Sequence, residues 1–285
     1  DIVIISQEIA KEGILPVVDA LIRAFEPRIQ MNILVSKEKT AKEILENQSV
    51  TSSAAEIEKM IIADKKFLSK SPNIDIRKIV NTFSEDGIQL VLATVGTAAN
   101  TMGTTTELSG AALFKGDKLI GFLDEEDTKY YLFIKNQIKE GTLIVSLDSN
   151  TTKDDVSLGI YESKTKLKPV YTNGRLTMSI KIKTSTSSWG LGSGDIVDEK
   201  GREIIKIKAE ETLKENIENL IKEVKSQYKV DIFGFGLKVK QDMPRLWKQI
   251  EKNWYEIYQD IDVNVEATVD IKDSKTLLKP IKIGE

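Results

Sequence analysis

The sequence contains no cysteine and no histidine, and these two absences remove much of ordinary enzymology. A thiolate nucleophile, a disulfide, a Cys/His zinc site, a haem-ligating imidazole and a Ser-His-Asp triad each require a side chain that is missing. What remains is carboxylate, Lys, Tyr or Ser chemistry, or a hard cation held by oxygen ligands. The missing cysteine leaves the compartment open, because an exported chain can dispense with disulfides as a cytosolic one does. Positive charge is also in short supply: 41 Lys and Arg stand against 44 Asp and Glu, a net charge of −3. No net field is available to neutralise phosphates, so nucleic acid is not expected as a partner. Long apolar runs are lacking as well. The longest charge-free stretch, Gly87–Thr106, carries Gln89, Asn100 and repeated Thr and Gly, and reads as a strand followed by a polar loop rather than a membrane span. The chain opens without Met or a basic leader, at the apolar strand Ile2–Ile5, as a trimmed or mature chain would.

What is present suffices for a folded protein. Hydrophobic residues make up 40% and charged residues 30%, with 17 Gly and 6 Pro, a balance that excludes wholesale disorder. The 285 residues exceed one typical domain of ~100–200 residues, which predicts two or three cores. Residues 1–86 alternate strand and helix. Ile2–Ile5 is a strand, Leu15, Val18, Leu21, Ile22 and Phe25 recur at helical spacing, and Ile29, Met31, Ile33 and Val35 alternate. Helical patterns follow at Thr40–Glu46 and Ser53–Phe67, the second with Ser53 and Glu56 spaced as a capping box. Residues 87–150 form a second region: a strand at Ile88–Leu92, a loop, a hairpin over Gly110–Leu123 turning at Lys115–Lys118, a helix in Asp124–Lys139 and a strand at Leu143–Leu147. Residues 151–285 form a third. Asn173-Gly174 is a two-residue hairpin turn, after which Leu176, Met178, Ile180 and Ile182 alternate with polar residues. A helix over Ala209–Tyr228 has one apolar stripe, a second starts at Pro244, and a strand alternates from Ile261 to Ile271. Asp231–Lys240 fits either strand or short helix, with helix preferred. The expected class is α+β: three domains, each a sheet with packed helices, the last an antiparallel sheet with long amphipathic helices on one face.

Several constellations invite functional readings. Gly190–Asp195 resembles a phosphate loop in its glycine spacing, but no helix follows directly, so a flexible loop is the better reading. Asp124-Glu125-Glu126-Asp127 lacks the alternation and turn glycine of a calcium loop and suits the acidic first turn of a helix. Trp247 and Trp254, seven residues apart on one helical face, could line a groove, yet core is the expected place for such a stripe. Phe233-Gly234-Phe235-Gly236 is either an aromatic recognition patch or a point of close approach between elements, and spacing does not separate the two. Lys164, Lys166, Lys168, Lys181 and Lys183 form a basic strand face, which solvates an edge or lies on anionic lipid.

Longer segments narrow the choice. Glu107–Leu123, Gln227–Gly236, Met243-Pro-Arg-Leu-Trp247 and Trp254 together resemble the C subunit of spore germinant receptors, the Ger(x)C lipoprotein family of endospore-forming bacteria. Ile14–Arg23, Glu26-Pro-Arg28 and Ala41–Leu45 are similar to that family's first domain, although Ala24 stands where an acidic residue is expected. The resemblance implies three domains, an incomplete start to the first and no catalytic residues to carry over, while the missing Cys and His, the context after Gly194 and the acidic run at Asp124–Asp127 point to no cofactor and no metal. It further implies a lipidated N-terminal Cys, absent here, that holds the protein on the outer surface of the spore's inner membrane beside a multi-spanning A subunit and a transporter-like B subunit. The motif positions it marks, as structural or interface residues, are Gly110, Ala111, Leu113, Phe114, Gly121, Asp231, Gly234, Gly236, Pro244, Trp247 and Trp254. The expected function is a non-enzymatic interaction component of nutrient-induced germination. A solute- or germinant-sensing module is the alternative, and an enzyme would need paired carboxylates in a cleft, for which no pair can be nominated.

Overall fold

The computed structural model describes residues 2–24, 31–46, 53–64, 69–100, 103–149, 152–191 and 199–272. Phe25, Glu26–Arg28, Phe67 and residues 192–198 lie outside them, as do the side chains of Ala24 and Ser53. Strand β1 (Ile2–Ile5) lies parallel to β2 (Asn32–Ser36) after helices α1 (Gln7–Glu12) and α2 (Leu15–Ala24), the β-α-β unit that the spacing predicts. Along α2, Val18 is buried, while Leu15 and Ile22 stay substantially exposed. Helices α3 (Ala41–Glu46), α4 (Ser53–Ala63) and α5 (Ile76–Phe83) follow. Thr40 and Glu43 form a reciprocal cap at α3, each side chain bonding the other's backbone N–H. Helix α5 is not anticipated above, although Asp75, which accepts from Lys78 N at 2.9 Å, and Ile76, Ile79, Val80 and Phe83 carry its signal.

β3 (Val91–Asn100), β4 (Gly103–Lys115) and β5 (Lys118–Leu123) complete a five-stranded sheet of order β1-β2-β3-β4-β5. The Thr-rich stretch expected to loop is instead a long hairpin, paired from Val91↔Leu113 to Asn100↔Gly103. Threonine is β-branched and fits a pleated surface, so its polarity misled and its shape decided. The expected β4–β5 hairpin forms, with Lys115 opposite Lys118. This sheet takes strands from both sides of residue 86. One face packs under α1, α2 and α5 through Ile33, Val35, Leu92 and Phe114. The other is divided. Leu34, Ala93, Val95 and Leu108 meet Ile44 of α3 and Ile57 of α4, whereas Val91, Ala111, Leu113 and Leu123 join the core around α6 (Glu125–Ile134).

The second sheet has the order β6 (Gly141–Ser149), β7 (Thr152–Thr172), β8 (Arg175–Leu191), β9 (Asp262–Lys272). Asn173 and Gly174 turn with φ of 53° and 78° and Thr172 faces Arg175, the primed turn that matches strand twist. No atom lies within 4 Å of where a Gly174 Cβ would sit, so Gly174→Ala tests backbone strain alone. It should lower stability by ~1 kcal/mol, read as a lower denaturant midpoint at unchanged slope.

The sheet is mixed, not wholly antiparallel: β9 runs parallel to β8, from Thr177↔Asp262 to Ser187↔Lys272. A parallel neighbour needs a crossover, which here is the chain of helices α7 (Glu199–Glu223), α8 (Phe235–Asp242), α9 (Pro244–Ile250) and α10 (Trp254–Asp260). Helix α7 buries Ile205, Ala209, Leu213, Ile217 and Leu220. It begins ten residues before the expected Ala209, and its last turn, Val224–Tyr228, is π-wound before Lys229 at φ 56°. The expected single helix from Pro244 is two, joined by a 3-10 turn at Glu251–Asn253. No described helix is long and apolar enough to cross a membrane.

Candidate functional site

The expected motif positions divide between the two sheets, and most of them meet where the sheets are joined. Asp231 is fully buried. Its carboxylate accepts N–H bonds from Gly234 at 2.8 Å, Phe235 at 3.1 Å and Gly236 at 2.8 Å, and the Trp254 indole N–H at 3.2 Å. It therefore caps α8 from four residues upstream, an arrangement that satisfies the orphan donors of the first turn. This settles the ambiguous segment: 231–234 is a capping turn and the helix proper starts at Phe235.

Two glycines allow the first sheet to reach this turn. Gln89 N donates to Asp231 O at 2.8 Å and Leu237 N to Gly87 O at 2.9 Å, tying the lead-in to β3 onto the start of α8. A Cβ on Gly236 would sit 2.6 Å from both Gly87 Cα and the Trp254 indole, and Gly87 has a positive φ of 76°. Close approach is therefore the explanation of Gly236, and the recognition-patch reading of Phe233–Gly236 fails because both rings are buried. They stack on each other at 5.4 Å between centroids and extend to Tyr131 and Tyr258. Trp247 and Trp254 are 3% and 2% exposed with ring centroids 5.4 Å apart, so they line a core and not a groove. Pro244 occupies the first turn of α9, where a missing N–H costs nothing.

A second tie runs through β5. A Cβ on Gly121 would lie 2.2 Å from the Tyr228 ring, whose hydroxyl donates to Phe122 O at 3.2 Å. Ala111 and Leu113 face the shared core, Phe114 faces the opposite side under α1 and α5, and Gly110, at φ 83°, sits by the register shift of β4 against Leu123 O. Residues that sequence reasoning missed are Gly87, Gln89, Tyr228 and above all Lys135. The Lys135 ammonium donates to Phe233 O at 3.0 Å beside the Asp231 carboxylate. Burial lowers the Lys135 pKa and the Asp231 charge acts against that. Burial likewise raises Asp231 to about 6, opposed by its three backbone donors and Lys135. With donors on every side, the carboxylate is ionised at neutral pH.

The acidic run has an ordinary role. Asp124 caps α6, accepting from Asp127 N at 2.8 Å. Asp127 is raised from 3.8 to about 6, first by burial and then by Asp124, Glu223 and Glu126. A carboxyl that holds its proton more tightly when folded favours the fold below its unfolded value. Its contribution thus declines as pH rises from about 4 to about 6. Solvent screening of this half-exposed group limits the decline to ~1 kcal/mol. Asp127→Asn should flatten that segment of the stability–pH curve, measured by urea unfolding at several pH values.

As chemistry, the joint encloses the Asp231 carboxylate, while the half-buried Lys135 ammonium donates to a backbone carbonyl. Its composition is that of a lock between two sheets. Comparison with known proteins supplies the family. Residues 109–275 match the family model described as "Spore germination B3/ GerAC like, C-terminal", and residues 1–97 match "Spore germination protein N-terminal domain". The chain belongs to the GerAC-like spore germination family. The limits of the two matches, 97 and 109, both fall in the β3–β4 hairpin. Relatives in Bacillus subtilis (strain 168) include the protein named "Putative spore germination protein YfkR", 25% identical over 284 residues, covering 98% of this chain and 72% of that protein. Spore germination protein KC of the same strain is 23% identical over 307 residues, covering 99% and 73%. The crystal structure of the GerBC protein shares the fold, with a TM-score of 0.75 at 18% identity over 95% of this chain and 78% of that one. These names denote spore germination proteins.

Proposed function

We propose that this GerAC-like chain is the C subunit of a spore germinant receptor and acts without catalysis, as an interaction component that docks on the A and B membrane subunits. In this reading the full-length protein is held by an N-terminal lipid on the outer surface of the spore's inner membrane. The observation that carries the reading is the joint. Its family-motif positions Gly121, Asp231, Gly234, Gly236 and Trp254 hold two sheets in one fixed arrangement, with the Asp231 carboxylate enclosed and spent on capping α8. Fixing two broad surfaces relative to one another is what a scaffold requires. One acyl chain gives only marginal membrane binding, so partners must supply the rest of the retention.

The test uses spores that lack the corresponding C subunit. The lipid-bearing form should restore nutrient-induced germination and co-purify with the A and B subunits, and the same chain without its lipid-bearing Cys should do neither. Calorimetric titration of the isolated chain with amino acids and sugars should show no binding. A micromolar dissociation constant for a germinant would replace the scaffold reading with a sensor reading.

A further inference from the structure

The outer face of the second sheet has no helix on it among the described residues, and its charge is arranged in a way the fold does not require. Leu176, Met178, Ile180 and Ile182 point inward and are buried, so the alternate residues of β8 and their partners on β7 point out. There Lys164 lies directly opposite Lys183 and Lys166 opposite Lys181, with Lys168 next along β7, and all five are exposed. Like charges directly opposite on a sheet are destabilising. Glu162 relieves Lys164 at 2.6 Å and Glu266 relieves Lys181 at 2.7 Å, whereas Lys166, Lys168 and Lys183 have no ion-pair partner among the described residues. Lysine commonly guards exposed sheet edges, and β7 beyond Ile160 is such an edge because its pairing with β6 stops there. That accounts for Lys164, Lys166 and Lys168. It does not account for Lys181 and Lys183, which sit on β8 between β7 and β9.

A second observation lies at the end of the same hairpin. Val170, 39% exposed, shares the lysine face opposite Thr177, whereas Tyr171, 49% exposed, lies opposite Leu176 on the other face, so the two flank the Asn173-Gly174 turn from both sides of the hairpin tip beside Lys168 and Arg175. An exposed aromatic and a branched apolar side chain bordered by cations is the composition that settles at a membrane–water interface. Lysine ammoniums are point charges suited to a diffuse anionic surface, whereas nucleic-acid recognition favours Arg forks and stacked aromatics, which the stripe lacks. On β9 the outward residues include Asp262, Glu266 and Asp270, which an anionic surface repels.

From this geometry we infer that the lysine stripe and hairpin tip of β7 and β8 form a docking face for an anionic lipid bilayer, with the sheet tilted so that β7 is nearest the lipid and β9 farthest. This is a contact made by the polypeptide itself, and it stands whether or not the chain assembles with receptor subunits.

The test is partitioning of the chain onto vesicles of mixed phosphatidylglycerol and phosphatidylcholine, by co-sedimentation at low and physiological ionic strength. The wild-type chain should bind these vesicles, should not bind pure phosphatidylcholine, and should weaken as salt rises. At ~1 kcal/mol per lysine near such a surface, reversing Lys166, Lys168 and Lys183 to Glu should lower the partition coefficient by at least about 100-fold. Reversing Lys11, Lys59 and Lys118, which lie on the other sheet's unit, should change it little. Val170→Ser with Tyr171→Ser should weaken binding several-fold at both salt concentrations. Circular dichroism melting confirms that the variants fold, and the wild-type lipid and salt dependence does not depend on them. The inference is overturned if the wild-type chain ignores anionic vesicles, if both triple reversals bind alike, or if duplex DNA binds the stripe in preference to lipid.

Discussion

Asp231→Asn should lower the stability of this chain by ~3–5 kcal/mol, because it leaves a buried ammonium without its counter-charge. In the folded protein the Asp231 carboxylate accepts from Gly234, Phe235, Gly236 and Trp254, and Lys135 stands beside it with its ammonium on Phe233 O. An asparagine keeps the shape and one acceptor oxygen but turns an NH2 group towards donors that need an acceptor. Each buried donor left unmatched costs ~1–3 kcal/mol. The measurement is urea unfolding of the wild type, Asp231→Asn, Lys135→Met and the double variant. Lys135→Met removes the charge that Asp231 offsets, so the double variant should be less destabilised than the sum of the singles. Strict additivity would mean that the two groups do not sense each other. The same variant should loosen the tie between sheets, since Gln89 N bonds the Asp231 carbonyl. Amide exchange at Gln89 and Leu237 should rise together in Asp231→Asn.

Trp254→Ala is expected to cost ~3–5 kcal/mol, the usual consequence of removing a large buried aromatic. Trp254 is 2% exposed, packs against Trp247 and Tyr258, and presses on Gly236. The void cannot close by a shift of α8, because the Gly87–Gly236 backbone contact already fixes that helix. Trp254→Phe separates packing from polarity. It keeps most of the ring but loses the indole donor to Asp231, and should cost ~1 kcal/mol from the lost hydrogen bond plus a smaller packing loss. Trp247 differs in that its indole N–H has no partner among the described residues, so Trp247→Phe should be milder still. Thermal and urea unfolding of the three variants ranks them. Equal losses for Trp254→Phe and Trp247→Phe would show that the Asp231 bond contributes nothing.

What was legible in the sequence was the part encoded between near neighbours. The β-α-β opening, the hairpin at Lys115–Lys118, the Asn173-Gly174 turn, the acidic cap of α6, the stripe of α7 and the burial of both tryptophans all rest on periods of two or 3.6 residues, or on a turn with one backbone solution. The Thr-rich hairpin is hidden from the sequence because threonine's polarity suggests a loop while its branched shape suits a strand, and α5 is hidden because its apolar stripe spans barely two turns. The direction of β9 lay beyond reach in principle: an alternating strand reads the same for parallel and antiparallel pairing, and only the path of the helices before it decides. The joint was half visible. Its motif residues could be picked out by resemblance, but that Asp231 faces Lys135, or that Gly236 exists for Gly87, is a relation between residues 96 and 149 positions apart. By itself the sequence determined where chain segments are apolar and where the backbone must turn. Tertiary structure alone decided which segments touch, because a buried charge and a glycine acquire their partners from packing and not from their neighbours in the chain.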